Sequence, residues 1–161
     1  MSVPVGQVEV VAAASTRPDT IAEFIPLARA YVTEIATWTP EERGRFVAGI
    51  MAALAQPRYR LLLLRCDGRA IGFSLSRSDP GREPTGSVLE FYVSPAWRRA
   101  GWGRMLYHWT EHDMKGRGMR YIGLKAQQEA EPFWRTIGFR ETGKVDPATG
   151  QKILAKIIRS A

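Results

Sequence analysis

The sequence is poor in the residues that build crosslinks and metal clusters. It has one cysteine, Cys66, and two histidines, His108 and His112, in 161 residues. A single thiol cannot close an internal disulfide, so a disulfide-stapled secreted scaffold is excluded. Acids are also scarce: 16 against 23 lysines and arginines, a formal net charge of +7. Long apolar runs are missing, and none approaches the roughly 18–20 residues that cross a bilayer. No membrane partner is therefore expected. Residues 1–15 hold a Val/Ala stretch with no basic residue ahead of it, a poor match to a secretory signal, so a cytoplasmic location is expected. No repeat, low-complexity tract or linker divides the chain, and its length predicts one domain over residues 1–161.

What is present is ordinary for a folded protein, with 45% hydrophobic and 24% charged residues. The basic surplus favours an anionic partner, which could be nucleic acid, an acidic protein surface or a phosphate-rich cofactor. Nucleic acid calls for a long cationic stripe, whereas a cofactor calls for a few cations around one loop.

The apolar pattern alternates between helical and strand periods. Residues 8–14 read as a first strand. Ile21, Phe24, Ile25, Ala28, Tyr31, Val32 and Ile35 recur at helical spacing behind Asp19 as cap. Thr39-Pro40-Glu41-Glu42 starts a second helix, predicted to end near residue 55. Residues 59–66 and 70–76 form a strand pair around an Asp67-Gly68 turn, and 78–86 reads as a loop. A strand over 88–93 is closed by Ser94-Pro95, and a helix over 101–115 follows. Trp102, Met105, Leu106 and Trp109 form its apolar stripe, which puts Trp102 and Trp109 in the core. A strand over 121–126, a short helix over 132–136 and strands over 139–142 and 153–158 complete the chain. This order predicts an α/β fold with a mixed sheet.

The chemistry is concentrated where the strand over 88–93 turns into a helix through Arg98-Arg99-Ala100-Gly101-Trp102-Gly103-Arg104. A helix N-terminus presents unpaired N–H groups and partial positive charge, and alternate glycines let the backbone close on a bulky anion. Three arginines add donors suited to phosphate oxygens. Neither the G-x-x-x-x-G-K-[ST] loop nor the G-x-G-x-x-G fingerprint is present. The pattern is R-x-x-G-x-G directly after Val-Ser-Pro.

In this segment the sequence resembles the GNAT superfamily of acetyl-CoA-dependent N-acetyltransferases. A second family signature is matched by Gln127-x-x-Ala130-x-x-Phe133-Trp134 with Gly138-Phe139 following, so the likeness covers about residues 88–142. The resemblance implies a mixed, mostly antiparallel sheet flanked by helices, with a splayed parallel strand pair at the cofactor. It implies pantetheine paired to the backbone of Phe91, Tyr92 and Val93, and pyrophosphate on the loop from Arg98 through Arg104. Gln127, Phe133 and Trp134 fall where the family contacts its cofactor. Acetyl would pass directly from the thioester to an amine, needing a base, a strand N–H for the oxyanion and a proton donor for the thiolate.

The sequence departs from the family at the catalytic positions. The usual acid is a tyrosine, and Trp134 stands there; an indole N–H is no acid at neutral pH. Either a tyrosine elsewhere, such as Tyr92 or Tyr107, serves instead, or the thiolate leaves with help from water or none. For the base, Glu90 is the carboxylate inside the otherwise apolar strand, where an acid needs a reason to be. Glu34 and Trp38, between the first two helices, are candidates for holding a cationic acceptor. His108-x-x-Glu111-His112 matches an inverted zincin motif, but no third-ligand context accompanies it and no metal is expected. A short stretch after Phe139 and the surroundings of Glu90 are similar to aminoglycoside 6'-N-acetyltransferases. The expected partner is a small-molecule or peptide amine, with a homodimer left open. Two other readings stand beside this one: a basic nucleic-acid-binding domain, and a coenzyme A-binding module without catalysis.

Overall fold

A computed structural model describes residues 8–14 and 16–158; the signal-peptide expectation falls on residues 1–15 and so lies mostly outside them. The elements in order are β1 (Val8–Ala13), α1 (Pro18–Ile35), α2 (Pro40–Ala53), β2 (Tyr59–Cys66), β3 (Arg69–Asp79) and β4 (Thr85–Val93). There follow α3 (Trp102–Gly116), β5 (Tyr121–Lys125), α4 (Glu131–Ile137), β6 (Arg140–Val145) and β7 (Lys152–Ile157). Among the described residues the strands form one sheet in the order β1-β2-β3-β4-β5-β7-β6. It is mixed: β1–β2, β5–β7 and β6–β7 pair antiparallel, while β4 and β5 pair parallel. The parallel register sets Thr85, Gly86 and Ser87 opposite Tyr121, Ile122 and Gly123, and β4 continues to Val93. No helix among the described residues is long and apolar enough to cross a membrane.

The chain divides into two compact units. The first comprises residues 1–75 and 90–107. The run Tyr-Arg-Leu-Leu-Leu-Leu-Arg-Cys in β2 has no polar alternation because both of its faces are covered. Leu61 and Leu63 join one apolar cluster with Phe24, Val32, Phe73 and Tyr92, packed by α1 and α2. Leu62, Leu64 and Cys66 join another with Ile71, Val93 and Leu106, backed by Trp97 and Trp102. Phe73 is fully buried and meets Phe24 and Tyr31 edge-to-face at 5.1 and 5.4 Å. Such aromatic pairs contribute about 0.5–1.5 kcal/mol each beyond area burial.

Local chemistry sets the helix ends. Thr39 caps α2 in a full capping box, accepting from the Glu42 N–H while its own N–H donates to Glu42 Oε2. For α1 the cap is Arg17 rather than Asp19, and Asp19 lies in the first turn after Pro18.

The second unit comprises residues 76–89 and 108–161. Its buried side chains include Met114, Ile122, Leu124, Trp134, Phe139 and Leu154. Two expectations fail here. The segment 78–86 is not all loop: β3 runs on to Asp79 and β4 begins at Thr85. The Ser78 hydroxyl there accepts from Arg117 Nη2 at 2.6 Å, giving a polar strand end a partner. In addition, Trp109 and Met105 are not core; they are 47% and 37% exposed, and α3 buries Leu106, Tyr107, Thr110 and Met114 instead.

Candidate functional site

In the first unit β4 delivers Glu90, Phe91, Tyr92 and Val93 to the segment that carries the basic loop. The Ser94 N–H donates to the Ile71 carbonyl at 2.8 Å, a short 3-10 turn over Pro95–Trp97 follows, and Arg98 leads into the loop. Arg99 and Gly101 both take positive φ, 62° and 89°. Alternating left-handed residues turn successive N–H groups toward one side, an arrangement that suits anions. Gly101 meets this requirement without a Cβ penalty, and no protein atom lies within 4 Å of where a Cβ would be. The first helical bond runs from the Met105 N–H to the Gly101 carbonyl at 3.1 Å. The N–H groups of Trp102, Gly103 and Arg104 therefore precede any acceptor one turn back in α3.

The three loop arginines have different roles. Arg98 is spent within the protein: its Nε donates to the Val93 carbonyl at 2.8 Å, and its fork holds both Glu34 oxygens at 2.7 and 2.8 Å. Its guanidinium also lies 5.5 Å from the Tyr92 ring centre. The hydrogen bonds to Glu34 push the Arg98 pKa further up, so the latch stays charged. Arg99 and Arg104 are exposed and hold no ion pair among the described residues. A pyrophosphate fits this chain at Arg99, Arg104 and the open first-turn N–H groups. Ala100 is exposed in the same loop, and Trp102 is half-buried with its ring 6.3 Å from that of Trp97.

Glu90 sits beneath the C-terminal half of α1, where the Tyr31 hydroxyl donates to its Oε2. Its Oε1 has no partner among the described residues. Burial pushes the Glu90 carboxyl above the usual carboxylate range, and the Tyr31 hydrogen bond partly offsets this. The Tyr31 hydroxyl is in turn pushed far up by burial and by the charge on Glu90, so its proton stays in place. Tyr92 is buried with its ring 5.5 Å from Tyr31; burial, then the charge on Glu34, raises its pKa. Val93 is buried and Phe91 is half-buried against the cluster of Leu62, Leu64 and Val93.

Trp38 is 37% exposed in the connection from α1 to α2, 5.3 Å from Phe46, which is 6.4 Å from Tyr31. Glu34 does not stand beside it as an open carboxylate, because Arg98 holds both its oxygens. The sequence does not mark Tyr31 and Phe46 as site residues. Both sit in apolar helical stripes, and only the chain's folding shows that the Tyr31 hydroxyl reaches residue 90.

In the second unit Gln127 is exposed, and its carbonyl accepts from the Ala130 and Glu131 N–H groups at 3.0 and 3.1 Å, starting the turn into α4. Phe133 is half-buried, and Trp134 is a core ring, 4.9 Å from Phe133 and 5.5 Å from Phe139. Glu111 is engaged by Lys156 at 2.6 Å and Lys115 at 3.5 Å, while His112 lies 5.9 Å from Trp109. Among the described residues no group of three metal-ligating side chains forms. Arg65, Arg77, Arg98, Arg117 and Arg135 are held in ion pairs.

The sequence matches the acetyltransferase (GNAT) family over residues 22–139, a span running from α1 past α4 and so including the β4 strand and the basic loop. The chain belongs to this family. It is an acyltransferase, and acetyl-CoA is the donor the family uses. No curated protein matches the sequence. The GNAT fold is borne out by solved structures. The paiA N-acetyltransferase from Thermoplasma acidophilum, solved with coenzyme A, superposes with a TM-score of 0.73 at 16% identity, covering 94% of this chain and 99% of that one. The GCN5-related N-acetyltransferase from Ralstonia eutropha JMP134 gives 0.69 at 18% identity, covering 87% and 97%. An aminoglycoside acetyltransferase from an uncultured soil metagenomic sample, in complex with sisomicin, gives 0.66 at 17% identity, covering 81% and 87%. At these identities the likeness is one of fold.

Proposed function

We propose that this GNAT protein transfers acetyl from acetyl-CoA directly to a primary amine, with Glu90 as the base. The observation that carries the reading is the state of Glu90. One oxygen is held by Tyr31, the other is open, and burial raises its affinity for a proton. A carboxylate poised in this way can take a proton from an ammonium or attacking amine, directly or through one water.

The remaining residues are assigned roles on the same reading. Arg99, Arg104 and the N–H groups at the start of α3 hold the pyrophosphate. The backbone of Phe91, Tyr92 and Val93 pairs with pantetheine. The family resemblance assigns Gln127 and Phe133 to cofactor contact as well. Arg98 acts through others: it fixes the Val93 carbonyl and the end of α1. In the transfer, the amine nitrogen forms a bond to the thioester carbon and gives a proton to Glu90. The carbon–sulfur bond breaks with its electron pair going to sulfur, and the thiolate takes a proton. Tyr92 is assigned as that donor, because burial and Glu34 keep its hydroxyl protonated at neutral pH. Trp134 has no part in the step.

The test is thiol release from acetyl-CoA with a panel of primary amines, with products identified by mass. Amine-dependent release with an N-acetylated product, much reduced in Glu90→Gln, is the expected result. Tight acetyl-CoA binding with no transfer to any amine would favour the second reading, a coenzyme A-binding module. That reading draws on the burial of Trp134 at the family's tyrosine position.

A further inference from the structure

We infer that the acceptor is a monoamine with an aromatic or bulky apolar body, seated on Trp38 and Phe46 with its amine at Glu90; this rests on the amine-transfer reading above. Two independent observations support the inference: the ring path and the charge balance around it.

Aromatic rings in mutual contact connect the exposed Trp38 to Tyr31, the partner of Glu90. Trp38 is 37% exposed and Ile35, three residues earlier at the end of α1, is 40% exposed, so the junction of α1 and α2 shows apolar surface to water. From Trp38 the rings step 5.3 Å to Phe46 and 6.4 Å to Tyr31, whose hydroxyl donates to Glu90. Rings at these spacings present π faces and edges rather than donors or acceptors. They suit an apolar body, and a cationic head is attracted to their faces. The polar groups of a sugar or a polyamine backbone gain few hydrogen-bond partners from such rings.

The charges give the same answer. A polycation needs several uncompensated carboxylates. The sequence from Glu34 to Arg45 carries the carboxylates of Glu34, Glu41 and Glu42 and the guanidiniums of Arg43 and Arg45, and Arg98 adds a third cation by holding Glu34. Glu34 is held by Arg98 in a two-pronged bond, and Glu42 closes the α2 capping box. Arg43 reaches Thr33 on α1 at 3.2 Å, bringing positive charge to the junction. Glu41 stands in the first turn of α2, where the helix dipole already favours an acid and opposes a bound cation. The carboxylate left for an acceptor is Glu90, through the single open oxygen. One negative charge at the end of an aromatic path specifies one ammonium on an apolar body.

The experiment compares phenethylamine and tryptamine with spermidine and an aminoglycoside, reading kcat and KM by thiol release and product mass. The expected result is a kcat/KM for the arylalkylamines about tenfold or more above that for the polycations. Trp38→Ala should raise KM for phenethylamine about tenfold with KM for acetyl-CoA unchanged, and Trp38→Phe should restore most of the loss. Equal or better turnover of spermidine or the aminoglycoside would overturn the inference and leave amine transfer standing. An unaltered phenethylamine KM in Trp38→Ala would overturn it as well. If acetyl-CoA raises the melting temperature but no amine is acetylated, the transfer reading itself fails and the acceptor class fails with it.

Discussion

Replacing Tyr31 by Phe removes one oxygen and leaves the ring that packs on Phe73 and Tyr92 at 5.4 and 5.5 Å. The lost group is the hydroxyl that donates to Glu90 Oε2, and Glu90 has no other partner among the described residues. A hydrogen bond to a charged group contributes about 1.5–3 kcal/mol. In a domain of this length that corresponds to about 3–12 °C in melting temperature. The loss depends on pH in a defined direction. The Tyr31 bond lowers a Glu90 pKa that burial has raised, so its removal lets the pKa rise further. A carboxyl whose folded pKa lies above its unfolded value contributes fully below the unfolded value and loses stability as pH rises through the folded one. Tyr31→Phe should therefore be much closer to the parent near about pH 4, where the carboxyl is protonated, than at neutral pH. The acid limb of kcat/KM should move to higher pH, because the base is ionised later. Thermal melts at the two pH values and a pH–rate profile measure both effects. An equal loss at both pH values, or an unmoved acid limb, would refute the coupling of Tyr31 to Glu90.

Glu90→Gln should cut turnover by about 10²–10⁴, more at neutral than at high pH where the amine is already free, as steady-state rates across pH would show. The same variant lacks the buried ionisation, so its stability should gain on the parent as pH rises above the usual carboxylate range, measured by denaturant melts. Gly103→Glu places a side chain and a negative charge in the first turn of α3 and should abolish acetyl-CoA binding by calorimetry while the protein stays folded. Gly72→Ala puts a Cβ 2.7 Å from the Tyr92 carbonyl oxygen and 3.4 Å from the Val93 Cα, backbone atoms that cannot rotate away. Chemical denaturation should show a loss of about 1–3 kcal/mol.

The features that the sequence makes legible are those whose causes are local. The α2 capping box lies within four residues, and the doubly buried β2 is announced by its unbroken leucines. The loop from Arg98 to Arg104 shows itself through glycines and arginines a few positions apart. Features that depend on distant partners are not legible. Tyr31 meets Glu90 across 59 positions, and Arg98 meets Glu34 across 64, which turns a predicted phosphate ligand and a predicted acceptor ligand into one latch. The buried face of α3 is not legible for a related reason. Trp109 and Met105 look like core by hydrophobicity, yet the helix buries Thr110 and Glu111, the latter matched by two lysines. The polar end of β3 looked like loop because Ser78 finds its partner, Arg117, 39 positions away.

The most direct test of the cofactor assignment is the melting temperature with and without acetyl-CoA, with zinc and duplex DNA in parallel. At about 100 times its dissociation constant a ligand adds about 2.7 kcal/mol. The account predicts a rise of about 5–11 °C with acetyl-CoA and none with the others. A rise with DNA or zinc and none with acetyl-CoA would contradict it.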